Sequence, residues 1–263
     1  MHAALNAFCF PSQTPVSEQA RAAAAGGFED IELIGPSGLE DGGAVAALLV
    51  EAGVRASGVA TAALRARHFA SSEPGDRAFA IELVSRMLHD AGAIGAEALV
   101  IIPAIVGGAQ DSTMQCGYLD ALTRTHAALR ELAPRAEACG VTLCIENAWN
   151  RFLLSPVDVA DLIDAVNSPR VRVCFDVGNV MATGYPQDWI EILGWRIARV
   201  HVKDYDLSRP GRAGFCPLGE GSVDWPAVMR ALRAVRYEGP LVHEGPTSDL
   251  ADTAWRVRRL MDL

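Results

Sequence analysis

Short apolar runs alternate with longer amphipathic stretches along this chain, and that alternation restricts its fold more than any other feature of the sequence. Residues 171–206 show the unit clearly: two valine-rich runs flank residues 187–196, whose apolar positions suit a helix that crosses between parallel strands. Eight such units fit into 263 residues, close to the ~250 residues typical of a (β/α)8 barrel. The sequence therefore predicts an α/β protein with the TIM-barrel fold.

The predicted strands and helices account for most of the chain. The strands cover residues 4–10, 30–34, 54–61, 98–105, 141–146, 171–176, 197–201 and 239–244. The helices cover residues 15–27, 43–53, 76–91, 119–139, 155–166, 187–196, 224–235 and 249–263. No linker or change of composition divides the chain, so we predict one TIM-barrel domain over residues 1–263. An open dinucleotide-binding sheet is disfavoured, because its GxGxxG fingerprint is missing.

Composition and charge exclude several classes of protein. Half of the residues are apolar, and 32 acidic residues outweigh 23 basic ones to give a formal charge of -9. Because no run of lysine and arginine offsets this charge, we expect neither nucleic acid nor an anionic membrane as a partner. The N-terminus lacks a signal-peptide pattern and the apolar segments are too short to span a bilayer, so we expect a soluble cytoplasmic protein. The six cysteines form no CxxC pair and are predicted to be reduced core residues.

Four successive predicted strands end in a residue that can bind a cation. These residues are Glu146, Asp176, His201 and Glu244. One such residue alone would more often cap a helix or form a surface ion pair, but the carboxyl ends of barrel strands all meet at one face. Three carboxylates in one cavity raise one another's pKa, so a divalent cation is the natural way to keep them ionised. The ligand types suit Mn²⁺, Mg²⁺ or Co²⁺.

Strand alternation assigns other polar residues near these strand ends. His243 precedes Glu244 and should point to the opposite side of its strand. Glu32 also lies at a strand end and is a candidate to support the cluster from behind. The remaining histidines lie in predicted loops or helices and are expected at the surface: His2, His68, His89 and His126. Aromatic residues near the loops are candidates for a pocket wall: Trp149, Phe152, Tyr185 and Phe215.

The strand-end residues belong to longer motifs that resemble a known family. The motifs are Ile-Glu146-Asn, Phe-Asp176-Val-Gly-Asn179, Val-His201-Val-Lys203-Asp204, Leu-Gly219-Glu220-Gly221-Ser-Val-Asp224 and Glu244. Together they resemble the xylose-isomerase-like TIM barrels, the sugar and sugar-phosphate isomerase/epimerase superfamily, and within it the ketose-5-phosphate 3-epimerase branch. Free-ketose 3-epimerases usually have a histidine and an arginine where this chain has Asn179 and Leu207. The resemblance implies four metal ligands, Glu146, Asp176, His201 and Glu244, and two proton carriers, Glu146 and Glu244.

The expected chemistry fits these residue types. Removal of the proton beside a ketone builds charge on the carbonyl oxygen, and a metal stabilises the resulting enediolate. One glutamate then abstracts the proton and the other returns it. We therefore expect a metal-dependent sugar or sugar-phosphate isomerase of carbohydrate metabolism, most closely a ketose 3-epimerase. Asn179, Lys203 and Arg209 are the candidate substrate contacts, and an ion pair with Asp204 is the alternative role of Lys203.

Two features leave alternatives open. The loop over residues 208–221 carries Arg209, Arg212 and several glycines, which suit either a phosphate site or a mobile lid. A metal-dependent sugar dehydratase needs the same enediolate, and a non-catalytic sugar-binding barrel would keep the pocket without needing both glutamates. The sequence leaves open which sugar is bound, whether it is phosphorylated, and whether the chain forms a homo-oligomer.

Overall fold

A computed structural model describes residues 1–108 and 113–263 and shows a closed barrel of eight parallel strands. The barrel strands are β1 (His2–Asn6), β2 (Asp30–Ile34), β3 (Arg55–Thr61), β4 (Ala98–Ile101), β5 (Thr142–Glu146), β6 (Val171–Asp176), β7 (Ile197–Val202) and β10 (Pro240–His243). Around the ring they follow the order β1-β10-β7-β6-β5-β4-β3-β2. The predicted TIM-barrel fold is confirmed.

Helices separate the barrel strands in the chain and cover the outside of the barrel. They are α1 (Val16–Ala25), α2 (Gly42–Ala52), α3 (Pro74–Ile94), α4 (Tyr118–Cys139), α5 (Pro156–Val166), α6 (Val177–Val180), α7 (Pro186–Leu193), α8 (Trp225–Ala234) and α9 (Leu250–Met261). Gly53, Gly95 and Gly140 end α2, α3 and α4 in the left-handed conformation that glycine adopts without steric cost. No helix in the described part of the chain is long and apolar enough to cross a membrane.

The structure corrects two predicted strand ends. The first strand stops at Asn6, because the Asn6 side chain accepts a hydrogen bond from the Phe8 backbone N–H and starts a 3-10 turn over Ala7–Cys9. The fourth strand stops at Ile101 instead of running to residue 105. Two further short strands, β8 (Asp204–Tyr205) and β9 (Phe215–Cys216), pair antiparallel beside the barrel. The predicted loop over residues 208–221 is therefore folded back as a hairpin.

The barrel interior differs from the layer between barrel and helices. Large apolar side chains fill the outer layer, where Phe175 of β6 stacks on Trp189 of α7 at 6.2 Å between ring centroids. Inside the barrel, a small cluster of buried residues carries only short side chains: Ala60, Ala98, Val100, Cys144 and Cys174. Small interior side chains leave room for polar groups, and the interior accordingly also holds fully buried Glu32, Arg199 and His201.

Candidate metal centre and active site

The four strand-end residues lie together at one end of the barrel. Each of Glu146, Asp176, His201 and Glu244 offers one potential ligand atom, and these atoms all lie within 4.8 Å of one another. Their convergence follows from the two-residue period of parallel strands: on β7, His201 points inward while its neighbours Val200 and Val202 pack outward. Residues of these types at this spacing could hold one divalent cation.

Asp176 is held rigidly at the end of β6. Its Oδ1 accepts a hydrogen bond of 2.9 Å from the Asn179 backbone N–H and so caps α6. The Asn147 side chain accepts from the Asp176 N–H at 2.8 Å and donates to the Asp176 carbonyl at 2.9 Å. Asn147 is a residue that the sequence analysis missed, although it directly follows Glu146. The other oxygen, Asp176 Oδ2, is buried and lies 2.7 Å from the Lys203 ammonium.

His201 connects the cluster to a carboxylate behind it. Its Nε2 lies 2.8 Å from Glu32 Oε1. Because an ionised carboxylate only accepts, Nε2 carries the shared proton. Burial opposes protonation of His201, but the nearby acidic groups raise its pKa well above the usual value. A cation bound in the cluster would take the lone pair that the neutral imidazole has on Nδ1. Nδ1 is buried without a hydrogen bond in the described chain, 3.4 Å from Glu244 Oε2 and 3.6 Å from Glu146 Oε1. Glu32 thus has the supporting position expected for it.

Glu32 is itself fixed by other buried groups. Arg199 pairs with it through Nε, and Asn6 donates to its Oε1 at 2.7 Å. The Arg199 guanidinium also donates to the Ser57 carbonyl at 2.8 Å and to the Ser57 hydroxyl at 2.6 Å. A Cβ at Gly58 would lie 2.8 Å from Arg199 Cζ, so glycine is needed at this position. Every polar group in this layer has a partner.

Lys203 lies inside the cluster rather than beside it. Its ammonium is 2.7 Å from Asp176 Oδ2 and 2.8 Å from Glu244 Oε2. A Cβ at Gly178 would come within 2.6 Å of Lys203 Cγ, so the chain needs glycine there for the lysine to fit. The alternative pairing with Asp204 does not occur, since Asp204 accepts from the Gly219 N–H, the Val223 N–H and the Trp225 indole.

The surroundings of the site shift the pKa values of Asp176 and Glu244 in opposite directions. Burial raises the pKa of Asp176 to about 7, and the nearby glutamates add to the rise while Lys203 opposes it. Burial also acts to raise the pKa of Glu244, but the Lys203 ammonium and the His201 imidazole outweigh burial and hold that pKa well below its usual range. Such separation of neighbouring carboxyl groups is characteristic of acid–base sites.

One unpartnered buried atom tests whether this cluster suits a metal ion. His201 Nδ1 is buried and makes no hydrogen bond within the described residues, and Asp176 Oδ2 is held by the Lys203 ammonium at 2.7 Å. Unsatisfied buried polar atoms are costly and uncommon, and this one belongs to a ring of oxygen and nitrogen atoms that can bind a cation. A divalent cation would satisfy Nδ1 and neutralise the carboxylates, so the residues fit such an ion.

A cavity of about 250 Å³ opens over the cluster. Glu146, Lys203 and Glu244 form its floor. Its upper wall includes five larger side chains: Phe8, Arg65, Trp149, Arg212 and Phe215. Trp149 and Phe215 pack against each other at 5.1 Å between ring centroids. A second cavity, of about 340 Å³, adjoins the first across Ala148, Trp149 and Asn179, which line both.

The predicted substrate contacts differ in their placement. Lys203 and Asn179 line the cavity, and the Asn179 side chain also donates to the Asn147 carbonyl at 2.9 Å. Arg209 is exposed and does not line either cavity. Arg65, in the turn after β3, lines the cavity instead and was not predicted as a substrate contact. Its only sequence signal is its place four residues after the end of a predicted strand.

Several other predicted placements can be compared with the structure. His243 is buried outside the cluster, its Nε2 donates to the Gly245 carbonyl at 3.2 Å, and burial lowers its pKa to about 4. His68 was expected at the surface, but it is buried and contacts Gln115 Oε1 at 3.3 Å. Phe152 is core and Tyr185 is exposed, so neither lines the cavities. All six cysteines are free thiols.

Fold and site together define the class of the protein: a parallel eight-stranded barrel with a carboxylate and imidazole cluster at the carboxyl ends of its strands. The family model of the xylose isomerase-like TIM barrel matches residues 20–261. The chain belongs to this family. The resemblance expected from the strand-end motifs is thereby confirmed at the level of the family.

Comparison with known proteins adds sugar-converting relatives. The chain is similar to the 3-oxo-isoapionate decarboxylase of Pectobacterium atrosepticum, with 34% identity over 41% of this chain and 40% of the relative. It is similar to the D-psicose 3-epimerase of Enterocloster bolteae, with 30% identity over 49% of this chain and 43% of the relative. The chain thus spans less than half the length of these two relatives. The chain also superposes on a crystal structure of D-psicose 3-epimerase in the presence of D-fructose, with a TM-score of 0.83 and 15% identity. The matched region covers 100% of this chain and 97% of the epimerase chain, which shows that the two share a fold.

Proposed function

We propose that this protein is a divalent-metal-dependent sugar or sugar-phosphate isomerase that works through an enediolate, most closely a ketose 3-epimerase. One observation carries the proposal: two glutamates, Glu146 and Glu244, belong to the metal-type cluster and also line the cavity above it. A cluster that only held a structural ion would have no need for two carboxylates facing a substrate-sized space. The similarity to a D-psicose 3-epimerase supports the same reaction type.

The metal is assigned to Glu146, Asp176, His201 and Glu244. Bound there, Mn²⁺, Mg²⁺ or Co²⁺ would act as a Lewis acid toward the oxygens of the substrate, on which negative charge develops. The protein positions these four side chains through Asn147 at Asp176 and Glu32 at His201. Supporting groups of this kind fix ligand orientation and tautomer.

Glu146 and Glu244 are the proposed proton carriers. They come from β5 and β10, which are separated by β6 and β7 in the ring, so the two carboxylates approach the cavity floor from different sides. Glu244 has its pKa held low by Lys203 and His201, so it is ionised at neutral pH and can abstract a proton from carbon. Glu146, carrying a proton taken from solvent water, then gives that proton to the other face of the carbon, and Glu244 releases the proton it abstracted to water. A proton delivered to the opposite face inverts the centre, as an epimerase requires.

Lys203 and Asn179 are the proposed substrate contacts inside the cavity. The Lys203 ammonium lies at the cavity floor with 12% of its side chain exposed, and can donate to a substrate oxygen. Asn179 lines both cavities, and its backbone carbonyl accepts a hydrogen bond from the Trp149 indole N–H at 2.8 Å. This hydrogen bond positions the Trp149 ring. The carbon skeleton of a sugar can pack against that ring.

Deuterium incorporation in D₂O tests this proposal. Metal-loaded protein incubated with ketoses and ketose phosphates should place deuterium at C3 for an epimerase, and at C1 or C2 for an aldose–ketose isomerase. Glu146→Gln and Glu244→Gln should each slow exchange by at least about 10²-fold, the usual contribution of a general acid or base. Glu238→Gln is the matched control, because Glu238 is an exposed glutamate just before β10. Exchange at wild-type rate in both glutamine variants would refute the roles of the glutamates.

A lyase on the same barrel is the second candidate. The 34% identity to a 3-oxo-isoapionate decarboxylase favours keeping it, since loss of a carboxyl group or of water beside a ketone also leaves an enediolate or enolate. The same incubation distinguishes the two reactions by mass. An isomerase leaves the mass of the substrate unchanged apart from the deuterium, whereas a lyase releases CO₂ or water.

A further inference from the structure

Two arginines line the mouth of the cavity from opposite sides of the barrel. Arg65 belongs to the 3-10 turn Ala63–Arg65 that follows β3, and Arg212 belongs to the 3-10 turn Gly211–Gly214 in the hairpin that follows β7. In the ring of eight strands, β3 and β7 are four positions apart and so lie across the barrel from each other. Both side chains line the same cavity as Glu146, Lys203 and Glu244.

Neither guanidinium has a carboxylate partner within 4 Å among the described residues. Eight other arginines of the described chain do pair with a carboxylate, among them Arg55 with Asp30 and Arg67 with Asp76, but none of these eight lines this cavity. With 32 acidic residues available against 23 basic ones, carboxylates are plentiful, yet the described chain supplies none to these two. Arg65 and Arg212 are therefore free to bind an anion in the cavity.

The floor of the cavity, once it holds a metal ion, has no excess negative charge that could neutralise these two arginines. The carboxylates of Glu146, Asp176 and Glu244 are balanced by the Lys203 ammonium together with one divalent cation. Below them, Glu32 is balanced by Arg199. The metal-loaded floor is then close to neutral, and the two guanidiniums make the mouth positive in a protein whose formal charge is -9. A field of this sign favours a negatively charged ligand over a neutral one.

We propose that the substrate is a keto sugar that carries an anionic group, a phosphate ester or a carboxylate, and that Arg65 and Arg212 bind this group at the mouth of the cavity. The inference rests on the proposed function and specifies its substrate class. The keto end of the substrate lies over Glu146 and Glu244, and the anionic end is held between the two arginines. Guanidinium groups suit both anions, since their N–H donors match the oxygens of phosphate and carboxylate.

Binding of inorganic phosphate to the Mg²⁺-loaded protein tests the site without any catalysis, and the arginine variants distinguish phosphate at the mouth from phosphate on the metal. Isothermal titration calorimetry at low ionic strength should show phosphate binding to the wild type, and binding at least about tenfold weaker in the Arg65→Gln/Arg212→Gln double variant. Arg130→Gln is the matched charge control, because Arg130 is exposed on α4 and lines neither cavity. Arg209→Gln tests whether the arginine expected from the sequence shares the role. Equal phosphate binding by wild type and double variant would overturn the inference.

Three ligands with one six-carbon keto skeleton then identify the anion. D-Fructose, D-fructose 6-phosphate and D-fructuronate are neutral, phosphorylated and carboxylated respectively, and they are titrated into the metal-loaded Glu146→Gln variant, which keeps Asp176, His201 and Glu244 as metal ligands and slows turnover. One or both anionic ligands should bind at least about tenfold more tightly than D-fructose, and adding Arg65→Gln and Arg212→Gln should remove this preference. Tighter binding of the phosphate indicates a sugar phosphate, and tighter binding of the carboxylate indicates a sugar acid.

The outcomes separate this inference from the proposed function. If the double arginine variant loses phosphate binding while no sugar exchanges deuterium in the wild type, the anion site stands and the isomerase assignment fails. If deuterium exchange proceeds but D-fructose binds as tightly as both anionic ligands, the isomerase assignment stands and the anion site is wrong.

Discussion

Two buried polar layers lie one above the other in the barrel, and they are built differently. The lower layer contains Glu32 and Arg199, both almost completely buried, with every donor and acceptor partnered. The upper layer, at the strand ends, holds three carboxylates that share one lysine, and His201 Nδ1 there makes no hydrogen bond within the described residues. His201 belongs to both layers, with Nε2 toward Glu32 and Nδ1 toward the upper cluster.

The difference between the layers shows which buried charges support the fold and which are available for chemistry. In the lower layer the polar atoms already have hydrogen-bond partners, so they are not available to a ligand. The charges of that layer hold side chains in place. In the upper layer His201 Nδ1 has no hydrogen bond within the described residues, and Glu146 and Glu244 line the cavity above it, where a cation and a substrate can use them. The lower layer fixes the orientation of His201, so the rigidity of one layer supports the function of the other.

Removal of one charge from the lower layer should give the largest effect. Arg199→Met leaves the Glu32 carboxylate buried without its cation, so the free energy of unfolding should fall by about 3–5 kcal/mol. Urea unfolding of the metal-free protein measures this loss. Adding Glu32→Gln to Arg199→Met removes the unpaired charge and should recover part of the stability. A loss below about 1 kcal/mol in the single variant would show that the lower layer is not a stabilising unit.

The hydrogen bond between Glu32 and His201 connects the two layers, and metal affinity tests its contribution. Glu32→Gln replaces the carboxylate that orients His201, and loss of such a supporting group typically weakens metal binding by about 10–100-fold. Calorimetric titration with Mn²⁺ measures the dissociation constant. Ser57→Ala is the control, since it removes a hydrogen bond to Arg199 in the same layer without touching Glu32 or His201. If both variants bind Mn²⁺ equally well, His201 does not depend on Glu32.

Lys203 tests the upper layer by itself. Its ammonium contacts the same Asp176 and Glu244 oxygens that a cation needs, so Lys203→Met should bind Mn²⁺ about tenfold more tightly, or ~1.4 kcal/mol. The metal-free variant should also melt at a lower temperature, because the carboxylates lose a counter-charge, whereas the metal-loaded variant should lose less. Lys203→Arg keeps the charge and is the control. Weaker Mn²⁺ binding in Lys203→Met would contradict the competition between lysine and metal.

The pH dependence of metal binding gives the smallest and most specific effect. Burial raises the pKa of Asp176 to about 7, so below that pH a proton occupies the carboxyl group that the cation needs. The apparent affinity for Mn²⁺ should therefore fall as pH decreases from 8 to 6, by at most about tenfold per pH unit for one proton. Asp176→Asn should bind more weakly at all pH values but with a flatter profile. An unchanged slope in that variant would assign the proton to another group.

The positions of the helices and strands, and the residues at the strand ends, follow from local sequence pattern. Helix ends at Gly53, Gly95 and Gly140 were predictable because glycine adopts the left-handed conformation of a helix end at little cost. The end of the first strand was predicted four residues too late, because Ala7–Cys9 is apolar enough for a strand and only the hydrogen bond from the Phe8 N–H to Asn6 shows that the chain turns. Local capping thus overrode the apolar pattern.

The sequence by itself determined which side chains face the barrel axis, because parallel strands alternate sides with a period of two residues. That rule groups Glu146, Asp176, His201 and Glu244 at one face and separates His243 from them. Only the tertiary structure decided the partners across the barrel: Glu32 meets Arg199, 167 positions away, and Lys203 meets Asp176 and Glu244 rather than its neighbour Asp204. Closure of the barrel brings these charged residues together, and glycines such as Gly58 and Gly178 leave the space that their side chains need. No local sequence pattern encodes either the closure or that space.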